Sequence, residues 1–197
     1  TPESTDLHRM LSTMVDLGVE MVASEVSSHA VSLGRIDGVW FSAAGFTNLS
    51  QDHLDFHGDM ESYFCAKAGL FEPERLARAV INVDDPYGSR LAAMVGVPTI
   101  TVGEGGDLSG RTVSMGPRSL DVELRFPSGR LSAFTLPLGG SFNLSNALVA
   151  SGCALSIGIE EGAIVDGLRR VPQIPGRFEI VSDDDPVTIV VDYAHTP

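Results

Sequence analysis

Residues 78–88 read RAVINVDDPYG. A short apolar run ends abruptly in two aspartates and a proline. A run of this length bounded by turn residues predicts a strand, and continuous apolarity predicts burial on both faces. Working outward, VEMVASEV (19–26), VWFSAAGF (39–46) and PTITVG (98–103) share that character. Helical patterns fall between them, over 5–17, 59–70 and 86–95. In the first, Leu7, Met10, Leu11, Met14 and Leu17 recur at helical spacing, Ser4 or Thr5 is placed to cap, and Gly18 ends the run. Alternation of buried strands with amphipathic helices predicts βαβ units, hence a mostly parallel sheet flanked by helices.

The pattern changes after Gly103. GEGGDLSG is a flexible turn, and the segment from Arg111 to Leu138 alternates with period two around PSG (127–129), which predicts a small antiparallel β appendage in the form of a hairpin. Helices are expected over 143–157 and 160–170. RFEIVS and VTIVVDY close the fold as strands joined by the acidic turn DDDP. The fold class is therefore α/β with an antiparallel appendage.

Composition narrows the function classes. Of 197 residues, 43% are hydrophobic and 20% charged, as in ordinary globular proteins, and the length suffices for a substantial core. A net charge of −13 argues against broad contact with nucleic acid or an anionic membrane. Nucleotides are not excluded, since a cation and a few amides can offset phosphates. Cys65 and Cys153 form no motif and lie in apolar stretches expected to be buried helices, so they read as reduced thiols of a cytoplasmic protein. No apolar run approaches the ~18 residues of a membrane span, and the opening residues carry no signal-peptide pattern.

Ligands of open parallel sheets bind beyond the carboxyl ends of the strands. The residues there are Glu25 to His29, Thr47 onward, Asp84-Asp85 and Asp192 to His195, and three of these four edges carry acids. The second edge runs into NLSQDHLDFHGDMESYFCAK (48–67), which gathers His53, His57 and four acids before Lys67. Glu25 and His53 offer a carboxylate and an imidazole to a divalent ion such as magnesium. An ammonium cannot ligate, but a sheltered lysine that loses its proton can add carbon dioxide and become a carbamate, an oxygen ligand. On composition alone, a salt bridge from Lys67 to a neighbouring acid is the commoner arrangement, and His53 alone is an ordinary loop histidine.

Three further groups stand out. In EVSSHAVSLGR (25–35), Ser27 and Ser28 precede a short helical turn whose amides can hold an anion, with Arg35 as a bidentate partner; capping of that turn accounts equally for the serines. In GGSFNLSNALVA (139–150), Asn143 and Asn146 lie one turn apart and could face a purine edge, or Asn143 could cap the helix. Arg177 in PGRFE (175–179) sits at the mouth of a strand within reach of a phosphate. No G-x-x-x-x-G-K-[ST] loop and no G-x-S-x-G elbow occur. From residues alone the reading is an α/β domain with a metal-dependent site.

The set is more informative than its parts. TPE (1–3), EVSSHA, TNLSQDHLDFHGDMESYFCAK, INVDDPYG, GSFNLSNALVA, PGRFE and DYAHTP occur in one order along all 197 residues. Together they resemble the central ATP-binding domain of the Mur ligases of peptidoglycan synthesis, and within them the UDP-N-acetylmuramoyl-tripeptide synthetases, which add the third residue of the stem peptide. DHLDFHG followed by AK is specific to that group; GSFNLSN and DYAHTP are shared with relatives such as folylpolyglutamate synthetase. The resemblance implies a P-loop NTPase-like fold, and magnesium bound by Glu25, His53 and a carbamylated Lys67, which are also the catalytic set. It implies that Thr1, Ser27 and Arg35 bind UDP-N-acetylmuramoyl-dipeptide and that Asn143, Asn146, Arg177 and Asp192 surround ATP. The reaction implied is ATP-dependent amide formation through an acyl phosphate. The amino acid is diaminopimelate or lysine, and the alanine-, glycine- and valine-rich, lysine-poor composition favours the former. Residues 1–197 are then the central domain of a longer, monomeric protein. The family's P-loop would precede Thr1, a UDP-binding domain would lie before it, and an amino-acid-binding domain would follow Pro197. The rivals are a folylpolyglutamate synthetase, another Mur ligase, or a non-catalytic nucleotide-binding module that kept the fold.

Overall fold

The computed structural model describes residues 1–182 and 187–194. Three strands form a parallel sheet in the order β1 (Ala44–Phe46), β2 (Ala79–Asn82), β3 (Thr99–Val102). The stretch 78–88 is its centre: Ala79, Val80 and Ile81 are wholly buried. Each of the two larger side chains contributes about 1.5–3 kcal/mol by leaving water, which is why continuous apolarity marks this strand.

The helices alternate as the pattern predicts. They are α1 (Ser4–Asp16), α2 (Ser28–Ser32), α3 (Leu54–His57), α4 (Met60–Ala68) and α5 (Pro86–Ala92), with a 3₁₀ turn over Gly69–Phe71. α1 begins one residue earlier than a Ser4 or Thr5 cap requires. Glu3 occupies the cap position and makes no side-chain cap bond. Gly18 ends it with φ +74°, a conformation in which glycine carries no Cβ penalty.

One expected strand does not form. Residues 19–26 have no ladder partner, and Val19, Met21 and Val22 are exposed. An apolar run signals burial, but a strand also needs a neighbour for its amides and carbonyls. β1 gives one edge to β2, and among the described residues no strand occupies its other edge. For the same reason only Ala44–Phe46 of 39–46 is regular strand, with an isolated bridge from Phe41 to Leu76.

The appendage is larger than a hairpin. β4 (Ser109–Met115), β5 (Leu120–Arg125) and β6 (Leu131–Leu136) form an antiparallel meander, because Ser109–Met115 also pairs with β5. Leu120, Val122 and Leu124 of β5 are buried, with Phe134 and Leu136 of β6, in one cluster with Val80 and Val102 of the parallel sheet. α6 (Phe142–Ser156) joins the two sheets. It lies so close to β1 and β2 that an added Cβ on Gly45 would stand 2.6 Å from Val149 Cγ1, and one on Gly152 2.5 Å from Val80 Cγ1. α7 (Glu161–Leu168) and the antiparallel pair β7 (Glu179–Ser182) and β8 (Ile189–Val191) complete the fold. The DDDP turn falls at 183–186, outside the described residues. Among those residues no helix is long and apolar enough to cross a membrane.

The cysteines part company. Cys65 is exposed on α4, contrary to the expectation of burial, because it lies on the face opposite buried Phe64 and Tyr63. Cys153 lies behind Gly45, and burial pushes its thiol up to about 11. A thiol reagent at pH 8 should therefore modify Cys65 within minutes and reach Cys153 only in denaturant, as read by intact mass. Equal labelling rates in the native protein would contradict this packing.

Candidate active site

The strand ends carry two groups of side chains. The first surrounds Tyr63 of α4. His57 stacks on the Tyr63 ring at 4.9 Å, His53 lies 6.0 Å from it at its edge, and Lys67 Nζ is 5.3 Å from its centroid. His29 of α2 closes the group, 5.0 Å from the His53 ring and 4.1 Å from Phe56. Sequence alone left His29 and Tyr63 without a role. His29 falls one turn into a short helix and Tyr63 one turn before Lys67, but only the tertiary packing shows that both rings meet this loop.

His53 adopts the left-handed backbone conformation, φ 53° and ψ 26°, which few residues other than glycine hold. The Asp52 carboxylate accepts a hydrogen bond from the His53 amide at 2.8 Å and helps keep it there. Non-glycine residues in this region cost of order 1 kcal/mol and concentrate at functional sites.

Lys67 is the only lysine of the chain. It sits one turn after Tyr63, partly buried, and loss of water pushes its pKa down; the carboxylates of Glu25 and Asp52 lie near enough to oppose that shift in part. Of the three residues expected to bind metal, His53 and Lys67 both lie against Tyr63, and Glu25 lies near Lys67. Among the described residues, however, no three histidine, cysteine or acid side chains converge tightly enough to hold an ion by themselves. Magnesium needs oxygen donors and keeps several waters, so one or two carboxylates with substrate phosphates suffice. The donor set fits it when Lys67 supplies oxygen and conflicts with it when Lys67 is an ammonium.

His57 donates to or accepts from Ser28 Oγ at 2.9 Å, and its pKa is lowered, first by burial and then by the neighbouring His29, His53 and Lys67. A histidine harder to protonate folded than unfolded makes the unfolded state the stronger proton acceptor. Stability is then complete above the unfolded value near 6.5 and falls as pH drops through that value and below. His57→Gln keeps a partner for Ser28 and removes this linkage. Between pH 7 and pH 5 its melting temperature should fall less than that of the wild type in matched thermal scans.

Thr1, Ser27 and Arg35 also come together. Thr1 Oγ1 donates to the Glu25 carbonyl at 3.0 Å and accepts from the Ser27 amide at 3.2 Å; Arg35 reaches the Thr1 carbonyl at 3.3 Å and the Glu3 carboxylate at 2.7 Å. Ser27 caps α2 by accepting from the Ala30 amide at 3.2 Å. The Ala30 and Val31 amides are already bonded to Ser27, which removes them as anion donors.

The second group stands at the start of α6. Asn143 is buried and sits inside the helix rather than at its cap: its amide donates to the Gly139 carbonyl at 2.7 Å and its oxygen accepts from Asn146 at 3.1 Å. Asn146 is exposed. The segments carrying Arg177 and Asp192 are tied by the Tyr193 amide, which donates to the Gly176 carbonyl at 3.0 Å. Phe178, next to Arg177, approaches α6, its ring 5.8 Å from that of Phe142. His195 to Pro197 lie outside the described residues.

The acids after β2 behave differently from their sequence appearance. Asp84 accepts the Glu104 amide at 2.8 Å, and Asp85 accepts the Gly88 amide at 2.9 Å and the Leu49 amide at 3.2 Å. They fasten the loops after β3 and β1.

Residues 1–154 match the family described as the Mur ligase middle domain. The chain belongs to that family. Among its relatives, a UDP-N-acetylmuramoyl-L-alanyl-D-glutamate–2,6-diaminopimelate ligase of Gloeobacter violaceus is 50% identical over all of this chain and 41% of its own length. The protein of the same description from Streptomyces coelicolor is 44% identical over 99% of this chain and 39% of its own. A solved structure of a ligase so described superposes with a TM-score of 0.83 at 31% identity, covering 100% of this chain and 41% of that one. This Mur ligase middle domain therefore spans about two-fifths of the length of the relatives it matches. Its parallel sheet flanked by helices is the α/β fold expected from the resemblance.

Proposed function

We propose that this chain is the ATP-binding part of a longer ligase that joins meso-diaminopimelate to UDP-N-acetylmuramoyl-L-alanyl-D-glutamate. The observation that carries the reading is the placement of His53 and Lys67 at the Tyr63 ring, with the Glu25 carboxylate near Lys67, in a chain 50% identical to a ligase of that description. The parent would supply a phosphate-binding loop and the modules for the uridine nucleotide and the amino acid.

In this reading ATP and the UDP-linked dipeptide meet at the strand ends. The glutamyl carboxylate attacks the γ-phosphorus, the bond to ADP breaks, and an acyl phosphate forms. The amine of the incoming amino acid then adds to the acyl carbon, inorganic phosphate leaves with the bonding pair, and the amine loses a proton. Glu25, His53 and Lys67 would hold magnesium, which when bound offsets charge on the phosphoryl oxygens. For Lys67 to join them its neutral amine adds to carbon dioxide and releases a proton, and burial of Lys67 favours that neutral amine. Arg35, Ser27 and Thr1 would face the UDP-linked substrate, and Asn143, Asn146, Arg177 and Asp192 the nucleotide. The chain's own contribution is mostly positioning and electrostatics.

Phosphate release by the full-length parent with ATP, magnesium and UDP-N-acetylmuramoyl-dipeptide tests this. Release that requires diaminopimelate and not lysine is the expected result. Release with lysine alone would reassign the amino acid, and none with either would sink the reading.

A further inference from the structure

At the end of the central strand, Asn82 is buried and uses both ends of its amide to tie three elements together. Its nitrogen donates to the Thr47 carbonyl at 2.7 Å and to Ser145 Oγ at 3.1 Å, and its oxygen accepts from the Asp84 amide at 3.1 Å. Thr47 is the first residue after β1 and opens the loop that carries His53. Ser145 lies in the first turn of α6 between Asn143 and Asn146.

Resting on the reading above, we propose that Asn82 is a positioning residue that sets the distance between the cation side of the site and its nucleotide side. Its polar partners are Thr47, Asp84 and Ser145 of the chain itself. A buried amide with its donors and acceptor engaged has one orientation, because any rotation leaves a polar atom unpaired in the interior. A carbonyl of the β1 exit and a hydroxyl of α6 are thereby held to the same nitrogen. In phosphoryl transfer that registration governs rate more than affinity, since small misplacement of charge-bearing groups costs turnover.

The test uses the full-length parent and three variants. Ser145→Ala removes one of the bonds without opening the strand end, and should lower kcat for phosphate release by roughly 3- to 10-fold. KM for the UDP-linked substrate and the melting temperature should stay near wild type. Ser145→Thr, which restores a hydroxyl, should recover most of the loss. Asn82→Asp keeps the shape but turns a carboxylate oxygen toward the Thr47 carbonyl, and should cost roughly 10- to 100-fold in kcat. Unchanged kcat in Ser145→Ala, or a loss that Ser145→Thr does not restore, overturns the proposal even if Asn82→Asp fails to fold. A wild-type parent without ATP-dependent release overturns the underlying reading and this proposal with it; an active wild type with unchanged variants overturns the proposal alone.

Discussion

Lys67→Ala in the full-length parent, on the proposed ligase reading, lowers phosphate release by on the order of 10²- to 10³-fold, the usual cost of removing a preorganised electrostatic group at a transferring centre. The melting temperature changes little, because Lys67 is only partly buried and its ring contact with Tyr63 is the kind worth about 1 kcal/mol or less. Two arrangements of this lysine differ in sign. In the proposed site, an ammonium would repel a cation held by Glu25 and His53, and a carbamate would add an oxygen donor to them. Burial favours the second by lowering the pKa, while Glu25 and Asp52 hold it back. Lys67 is the sole lysine of these 197 residues, so the side-chain carbamate signal from ¹³C-labelled carbon dioxide that belongs to it is the one present in the wild-type parent and missing from Lys67→Ala. Its absence from active enzyme, or full activity in Lys67→Ala, would refute the carbamate. Bicarbonate should stimulate the wild type after acid treatment and leave the variant unaffected.

Gly88→Ala destabilises the protein by about 2–3 kcal/mol despite improving helix propensity. Alanine in a helix is worth up to about 1 kcal/mol over glycine. Against that, the new Cβ would stand 1.9 Å from the Asn82 carbonyl oxygen, a backbone atom of the central strand. Backbone cannot swing aside as a flexible side chain can, so α5 must move outward, at an overpacking cost of several kcal/mol at most. The movement also pulls Asp85, whose carboxylate holds both the start of α5 and the Leu49 amide. Gly167→Ala in α7 is the control. Nothing lies within 4 Å of its added Cβ, and it should stabilise by a few tenths to about 1 kcal/mol. Urea midpoints for the three proteins decide this; a stable Gly88→Ala would mean that α5 does not pack on the strand as described.

Much of the molecule was legible before any coordinate. Continuous apolar runs mark strands buried on both faces, and the shift to period two at Gly103 marks the antiparallel meander. The failures have common causes. VEMVASEV has the apolarity of a strand, yet strand formation needs hydrogen-bond partners that sequence periodicity does not report. Asp84 and Asp85 look like ligands because acids at strand ends often are. In the fold they accept backbone amides, a use invisible without knowing which loops return beside them.

The site divides the same way. Its residue types were determined by sequence alone: the lysine, the histidines of DHLDFH, and the two asparagines one helical turn apart. Their meeting was decided only by tertiary structure. Glu25, His53 and Lys67 lie on three separate segments; the fold sets His53 and Lys67 at the Tyr63 ring and Glu25 near Lys67. Asn82 lies in INVDDPYG, one of the segments that carry the resemblance, but its residue type alone assigns it no role. Its role depends on Thr47, 35 residues before it, and Ser145, 63 residues after it, and hydrogen bonds over such separations exist only once β1, β2 and α6 have packed.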